Sequence, residues 1–309
     1  MNTDTFIQLT LNGLTEGSTY ALIALGYTLV YGVLKLLNFA HGDVFMVGSF
    51  IGLGVLNLFG GTSDPQLGTW VLIGAMTLAA MVGCAVLGVA IERFAYRPLR
   101  DAPRIAPLIS ALGVSFFLAN SMQLLFGAQQ RDYSMFSLDG GSLYLRGFNI
   151  GDVHIPLIRI ITISAAVVLC VLLWLLVTRT RTGKAMRATS FDREAAAMMG
   201  IDIDRVIVFT FVIGSALAGA AGVMFALRVP TAASIGFLIG LKGFTAAVIG
   251  GIGSIPGAMA GGLILGFAEA YTQGYWTTRW SDLVIFSVLI VFMLFRPSGL
   301  LGIAGLKKV

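Results

Sequence analysis

Few residues in this chain have the type and spacing to do chemistry, and those stand in apolar surroundings. The stretch "LLNFAHGDVFMVGSF", Leu36 to Phe50, puts Asn38, His41 and Asp43 within six positions, between apolar segments long enough to cross a membrane. One reading is a tight connector. Asn38 would end the first helix, Gly42 would give the turn its freedom, and Asp43 would meet the positive end of the next helix. The other reading is a gate formed by a connector that dips into the membrane. Irregular backbone at that depth is tolerated only where protein or a watery cavity satisfies it. The residues alone leave both readings open.

Three further ionisable groups lie in apolar runs: Glu16, Lys242 and Glu269. A charge near the bilayer centre costs on the order of 2.5–3.5 kcal/mol, so each needs a reason to be there. Lys242 is expected near an interface, where its long stem can snorkel. Glu269 sits near one end of its segment and either reaches headgroups or joins a pathway. Asn120, Ser121 and Gln123 in the fourth segment can line a polar path or join helices to one another. The pathway or gate candidates are therefore Asn38, His41, Asp43, Asn120, Gln123 and Glu269.

The inventory for catalysis is poor. His41 and His154 are far apart in the chain and lack metal-ligand spacing. The patterns GxSxG, HExxH and GxxxxGK[ST] do not occur, so no catalytic residue and no metal site is assigned. The chain is expected not to be an enzyme, to need no cofactor of its own, and not to hydrolyse nucleotide by itself.

The elements that must position these residues follow from composition. Of 309 residues 57% are hydrophobic and 11% charged, against roughly 25% charged in soluble domains. Mean hydropathy is +0.90. Lipid must be the solvent for most of such a chain. The 39 glycines fit transmembrane helices that approach one another closely. A net charge of +5 then reads as basic cytoplasmic loops rather than a nucleic-acid surface. Cys84 and Cys170 lie in apolar segments and read as small packing residues. The start "MNTDTFIQLT" lacks the basic region of a signal peptide.

Apolar segments fall at roughly 6–34, 43–59, 69–91, 105–127, 155–177, 206–227, 237–253, 256–272 and 282–296. The expectation is an all-α polytopic membrane protein with eight or nine spans, as a single transmembrane domain over 1–309. The ambiguity lies at "GGIGSIPG", Gly250 to Gly257, which either joins two spans or breaks one. Loops 92–104 and 179–205 are rich in Arg and Lys and lie two spans apart, so both are placed in the cytoplasm. The intervening 128–154 then lies outside, as does the N-terminus. The tail, with Arg296, Lys307 and Lys308, prefers the inside, and nine crossings satisfy both ends.

The segment 179–206 reads as two short helices, one near Lys184 to Thr189 and one that Asp192 caps. Gly200 ends the second in the left-handed conformation. This is either a solvated basic loop or a knob for a partner; its Ala/Met-rich second helix favours a packing surface. Near the C-terminal end, Gly253, Gly257 and Gly261 recur at i, i+4 and i+8. They form a stripe for helix packing, with Pro256 as a candidate helix break.

Three stretches carry a resemblance: Asn12 to Phe50, "RATSFDREAAAMMGID" and "KGFTAAVIGGIGSIPGAMAGGLILG". They closely resemble the H-type permease subunit of bacterial high-affinity branched-chain amino-acid ABC importers, over essentially the whole chain. The resemblance implies the larger, many-helix importer permease fold with a short cytoplasmic coupling helix, in the cell inner membrane. It implies a second permease subunit, two cytoplasmic ATPase subunits that bind the ATP, and a periplasmic amino-acid-binding protein. It also implies that 179–205 engages an ATPase, through Arg187, Phe191, Asp192, Glu194, Ala195, Ala196 and Gly200. Permeases for urea and short amides look similar, and an ion-coupled secondary transporter is the other reading. The expected contacts are membrane lipid and these subunits, with no nucleic acid.

Overall fold

The computed structural model describes residues 3–59, 68–100, 102–103, 105–131, 137–138, 141–142, 147–150 and 153–302. The long helices are α1 (Thr3–Leu34), α2 (His41–Leu58), α3 (Thr69–Ile91), α4 (Ile105–Phe126), α5 (Leu157–Arg179), α8 (Ile203–Ala226), α9 (Ile235–Gly250), α10 (Ile255–Tyr275) and α11 (Ser281–Phe295). Two short helices, α6 (Arg181–Phe191) and α7 (Arg193–Met198), stand between α5 and α8. The described strands form two small antiparallel pairs between α4 and α5, β1 (Ser137–Leu138) with β2 (Gly141–Ser142) and β3 (Gly147–Ile150) with β4 (Val153–Pro156).

Among the described residues, seven helices are long and apolar enough to cross a membrane. α9, with 16 residues, is shorter. Its neighbour α10 has 21 residues and is packed on two faces. Together these nine helices follow the nine apolar segments of the sequence, and 237–272 is two helices rather than one broken one. Gly251 and Gly253 take φ +101° and +99°, Ser254 accepts the Gly257 N–H at 3.2 Å, and Pro256 occupies the first turn of α10. Proline is at home there because its missing N–H would be unsatisfied anyway. Gly253 thus belongs to the turn and not to the packing stripe.

α1 is the axis of the bundle. Tyr20, Leu22, Ile23, Ala24 and Leu25 are all buried, as expected of a helix that is apolar all round and has neighbours on every side. Peripheral helices bury one stripe only. In α5 it runs Ile158, Thr162, Ala166, Cys170, Leu173 and Val177, three or four residues apart, and the remaining faces are left for lipid or partners. Both cysteines are buried and unpaired, and the Cys84 thiol donates to the Val44 carbonyl at 3.3 Å.

Small residues set the close crossings. Gly262 and Gly266 of α10 lie against Ala21 and Gly17 of α1, and Gly257 and Gly261 face Gly250 and Ala246 of α9. α10 therefore carries two glycine stripes, one for each neighbour. Without a hydrophobic drive between helices in lipid, close backbone approach of this kind supplies the packing energy.

The loop expected at 92–104 is largely helical. α3 continues as a π turn, Glu92–Tyr96, and a 3-10 turn, Arg97–Leu99. Arg97 meets Asp204 at 2.5 Å, and Arg100 pairs with both Glu92 and Asp204, which joins this extension to the start of α8. Ion pairs between residues more than a hundred positions apart hold the turn in helical form.

Candidate translocation and coupling sites

The connector between α1 and α2 leaves α1 at Lys35, whose φ of +57° turns the chain sharply. It then re-enters the bundle. His41, the first residue of α2, lies edge-on to Tyr27 with ring centroids 4.7 Å apart, and it abuts Gly26. Gly26 is eight residues before the end of α1, about 12 Å along the axis. The second helix therefore begins deep beside the first, not at its end.

The three polar residues are sequestered at that depth. Asn38, His41 and Asp43 are 2%, 1% and 1% exposed. The Tyr96 hydroxyl is within donating reach of the Leu37 carbonyl (3.1 Å) and Asn38 Oδ1 (3.2 Å). Asp43 accepts from the Ser115 hydroxyl of α4. The N-cap position of α2 is Ala40, with no side-chain cap, so Asp43 is turned to α4 rather than to its own helix end. Gly42 lies against Gly236 and Gly240, which lets α2 cross the start of α9 closely. Nε2 of His41 is buried without a hydrogen-bond partner. A buried orphan of this kind calls for a physical reason.

A second set of polar groups forms three ion pairs beside α1. Lys242 of α9 meets Glu269 of α10 at 2.8 Å and Asp282 of α11 at 2.9 Å. The Tyr20 hydroxyl donates to Glu269 at 2.5 Å, and the Gln273 amide donates to it at 3.2 Å. Arg228, in the loop after α8, meets Glu16 at 2.8 Å and Thr19 at 3.2 Å. Lys242 and Glu269 are each 5% exposed. Lys242 therefore does not snorkel and Glu269 does not reach for headgroups: Lys242 is the counter-ion of Glu269, and Glu269 and Asp282 are those of Lys242. Tyr20 and Arg228 were not among the expected participants. Glu16, Tyr20 and Tyr27 at i, i+4 and i+11 mark one polar face of an apolar helix, a signal the sequence does carry.

Asn120 and Gln123 are placed otherwise. Both are exposed on the outward face of α4, and Asn120 donates to its own helix at the Phe116 carbonyl, 2.7 Å. They do not join the His41–Asp43 cluster. Ser115 does, from the opposite face of α4, and was missed because a lone serine in an apolar run gives no signal.

The protrusion between α5 and α8 is built from local rules. Thr180 accepts the Gly183 N–H at 3.0 Å and starts α6. Asp192 accepts the Glu194 and Ala195 N–H groups at 2.9 and 3.0 Å and starts α7. Gly200, at φ +82°, takes the left-handed position after it. α6 is longer than the sequence suggested because its cap lies at Thr180. Phe191, Met198 and Met199 are 88%, 82% and 83% exposed. Asp192, Glu194 and Ala195 are exposed beside them, whereas Ala196 is buried and faces its own chain. Arg187 turns back and donates to the Val177 carbonyl at the end of α5.

A polytopic helical bundle with intramembrane ion pairs and an apolar knob at its basic end defines a membrane permease. The chain belongs to the family described as branched-chain amino acid transport system / permease component, which it matches over residues 9–293. It is 42% identical to the high-affinity branched-chain amino acid transport system permease protein LivH of Salmonella typhimurium, over 98% of both chains. It is equally similar to BraD of Pseudomonas aeruginosa, again 42% over 98% of both chains. LivM of Escherichia coli, a permease protein of the same kind of system, is 26% identical over 91% of this chain and 67% of its own. No solved structure matches the chain. The protein is an ABC importer permease.

Proposed function

We propose that this chain passes branched-chain amino acids across the inner membrane as one of two permease subunits, driven by two cytoplasmic ATPase subunits that bind the ATP. The names of its relatives support the solute class, and its likeness to LivM supports a second, different permease. A periplasmic amino-acid-binding protein would deliver the solute. The basic loops favour a cytoplasmic α6 and α7 and a periplasmic N-terminus. Residues 1–309 act as one transmembrane domain, with 179–205 as its coupling loop.

One observation carries this reading. The α6–α7 protrusion presents Phe191, Met198 and Met199 to the outside although its backbone is tightly capped. A rigid knob with soft apolar side chains suits a cleft on another protein. Asn120 and Gln123, two amides on a membrane-facing surface, favour a polar path or a second permease on that side of α4. His41 and Asp43 form the inner gate, and the unpartnered Nε2 of His41 finds its partner in another gate state.

The test is Phe191→Asp. The variant should insert normally, yet lose most uptake and most substrate-stimulated ATPase activity. Normal uptake with normal stimulation would rule out the knob as the coupling element.

A further inference from the structure

The basic end of the bundle has a feature that transport as described does not use. A cleft of about 260 Å³ is lined by Leu34, Lys35, Leu36, Arg100, Pro107 and Arg193, among others. Three cations thus converge from three elements: the α1–α2 connector, the extension of α3, and α7. No carboxylate lines the cleft among the described residues. Arg100 is already held by Glu92 and Asp204 outside it. Arg193 donates to the Val33 carbonyl at 3.0 Å, at the end of α1. Neither Lys35 nor Arg193 forms an ion pair among the described residues.

These charges disfavour one another. Burial lowers the Lys35 pKa and the nearby Arg193 adds to the effect. Burial likewise lowers that of Arg193, and Arg100 adds to it. A helix-end carbonyl engages Arg193 and two carboxylates hold Arg100, which leaves Lys35 as the cation with no side-chain partner among the described residues. The level of the cleft is also informative. Leu34 is the last residue of α1 and Pro107 lies in the first turn of α4, so the cleft opens where the helices leave the apolar zone. Ile105 and Phe94, near it in sequence, are 67% and 81% exposed. A bilayer presents phosphate at this level, and basic pockets between helices there select anionic headgroups.

We propose that this cleft binds the phosphate of an anionic phospholipid between Lys35 and Arg193, with Arg100 behind it. The headgroup then ties together the connector that leads to His41, the entry of α4, and α7. Membrane composition thereby sets how firmly the coupling helix is joined to the gate.

The test uses the whole importer with its partner subunits. Native mass spectrometry after delipidation should find one more retained phosphatidylglycerol on the wild type than on Lys35→Gln or Arg193→Gln, and no such difference with phosphatidylcholine. In phosphatidylcholine vesicles Lys35→Gln should match the wild type. Adding phosphatidylglycerol should raise wild-type uptake several-fold and the variant's much less. Equal retention and equal stimulation in wild type and variants would overturn the site. Equal stimulation by inorganic phosphate in phosphatidylcholine vesicles would overturn lipid as the source. A Lys35→Cys thiol shielded by the ATPase in phosphatidylcholine alone would assign the cleft to that partner instead. Lipid retention is read independently of the solute carried, so failure of the transport reading leaves this result interpretable.

Discussion

Lys242 and Glu269 are two buried charges that neutralise each other, with the half-exposed Asp282 as a second partner of the lysine. Their side chains are 6% and 7% exposed. Removing one member of a buried pair leaves an uncompensated charge, at a cost of about 3–5 kcal/mol, whereas replacing both with apolar groups is often close to neutral. Lys242→Met should therefore lower the melting temperature of the purified protein strongly, and Lys242→Met with Glu269→Met should recover most of the loss. Tyr20 and Gln273 soften the single change by donating to the remaining carboxylate. An unchanged melting temperature in the single variant would contradict the pairing. That both charges needed a reason was legible in the sequence. That they were each other's reason was not: Tyr20 and Glu269 are 249 positions apart, and Lys242 is 27 from Glu269. Local hydropathy assigned each charge to the nearest interface, whereas tertiary packing brought them together.

At the scale of elements, the connector is the unit that matters. It re-enters the bundle because Gly26 leaves room for the His41 ring and Gly42 lets α2 approach α9. With Asp43 bonded to Ser115 and Asn38 to Tyr96, His41 is the member whose loss leaves those bonds standing. His41→Ala should therefore insert and assemble with the ATPases normally but lose most transport. Near-normal uptake would sink the gate role and leave the residue to packing. The helix signals of α7 were readable because capping is local: Asp192 bonds two and three residues ahead, and Gly200 closes the helix. The π and 3-10 extension of α3 was not readable. Its basic residues look like a solvated loop, and only the carboxylates of Glu92 and Asp204 fold them down.

For the whole molecule, composition alone placed the chain in lipid, and the positions of the nine apolar segments survive in the nine long helices. Their arrangement did not follow from composition. α1 is central because it is apolar on every face and carries Gly13 and Gly17 for α10, while α5 and α11 stay peripheral with one buried stripe or less. The sequence carries no GxxxxGK[ST] nucleotide loop, and under the proposed function energy enters through the exposed knob. The most direct measurement is uptake by the chain reconstituted with its partner permease, its ATPases and the binding protein. Labelled leucine should enter only when ATP is present, remain unaffected by ionophores that collapse ion gradients, and be competed by isoleucine and valine but not by urea. Uptake that persists without ATP and collapses with the ion gradient would contradict the ATP-driven reading.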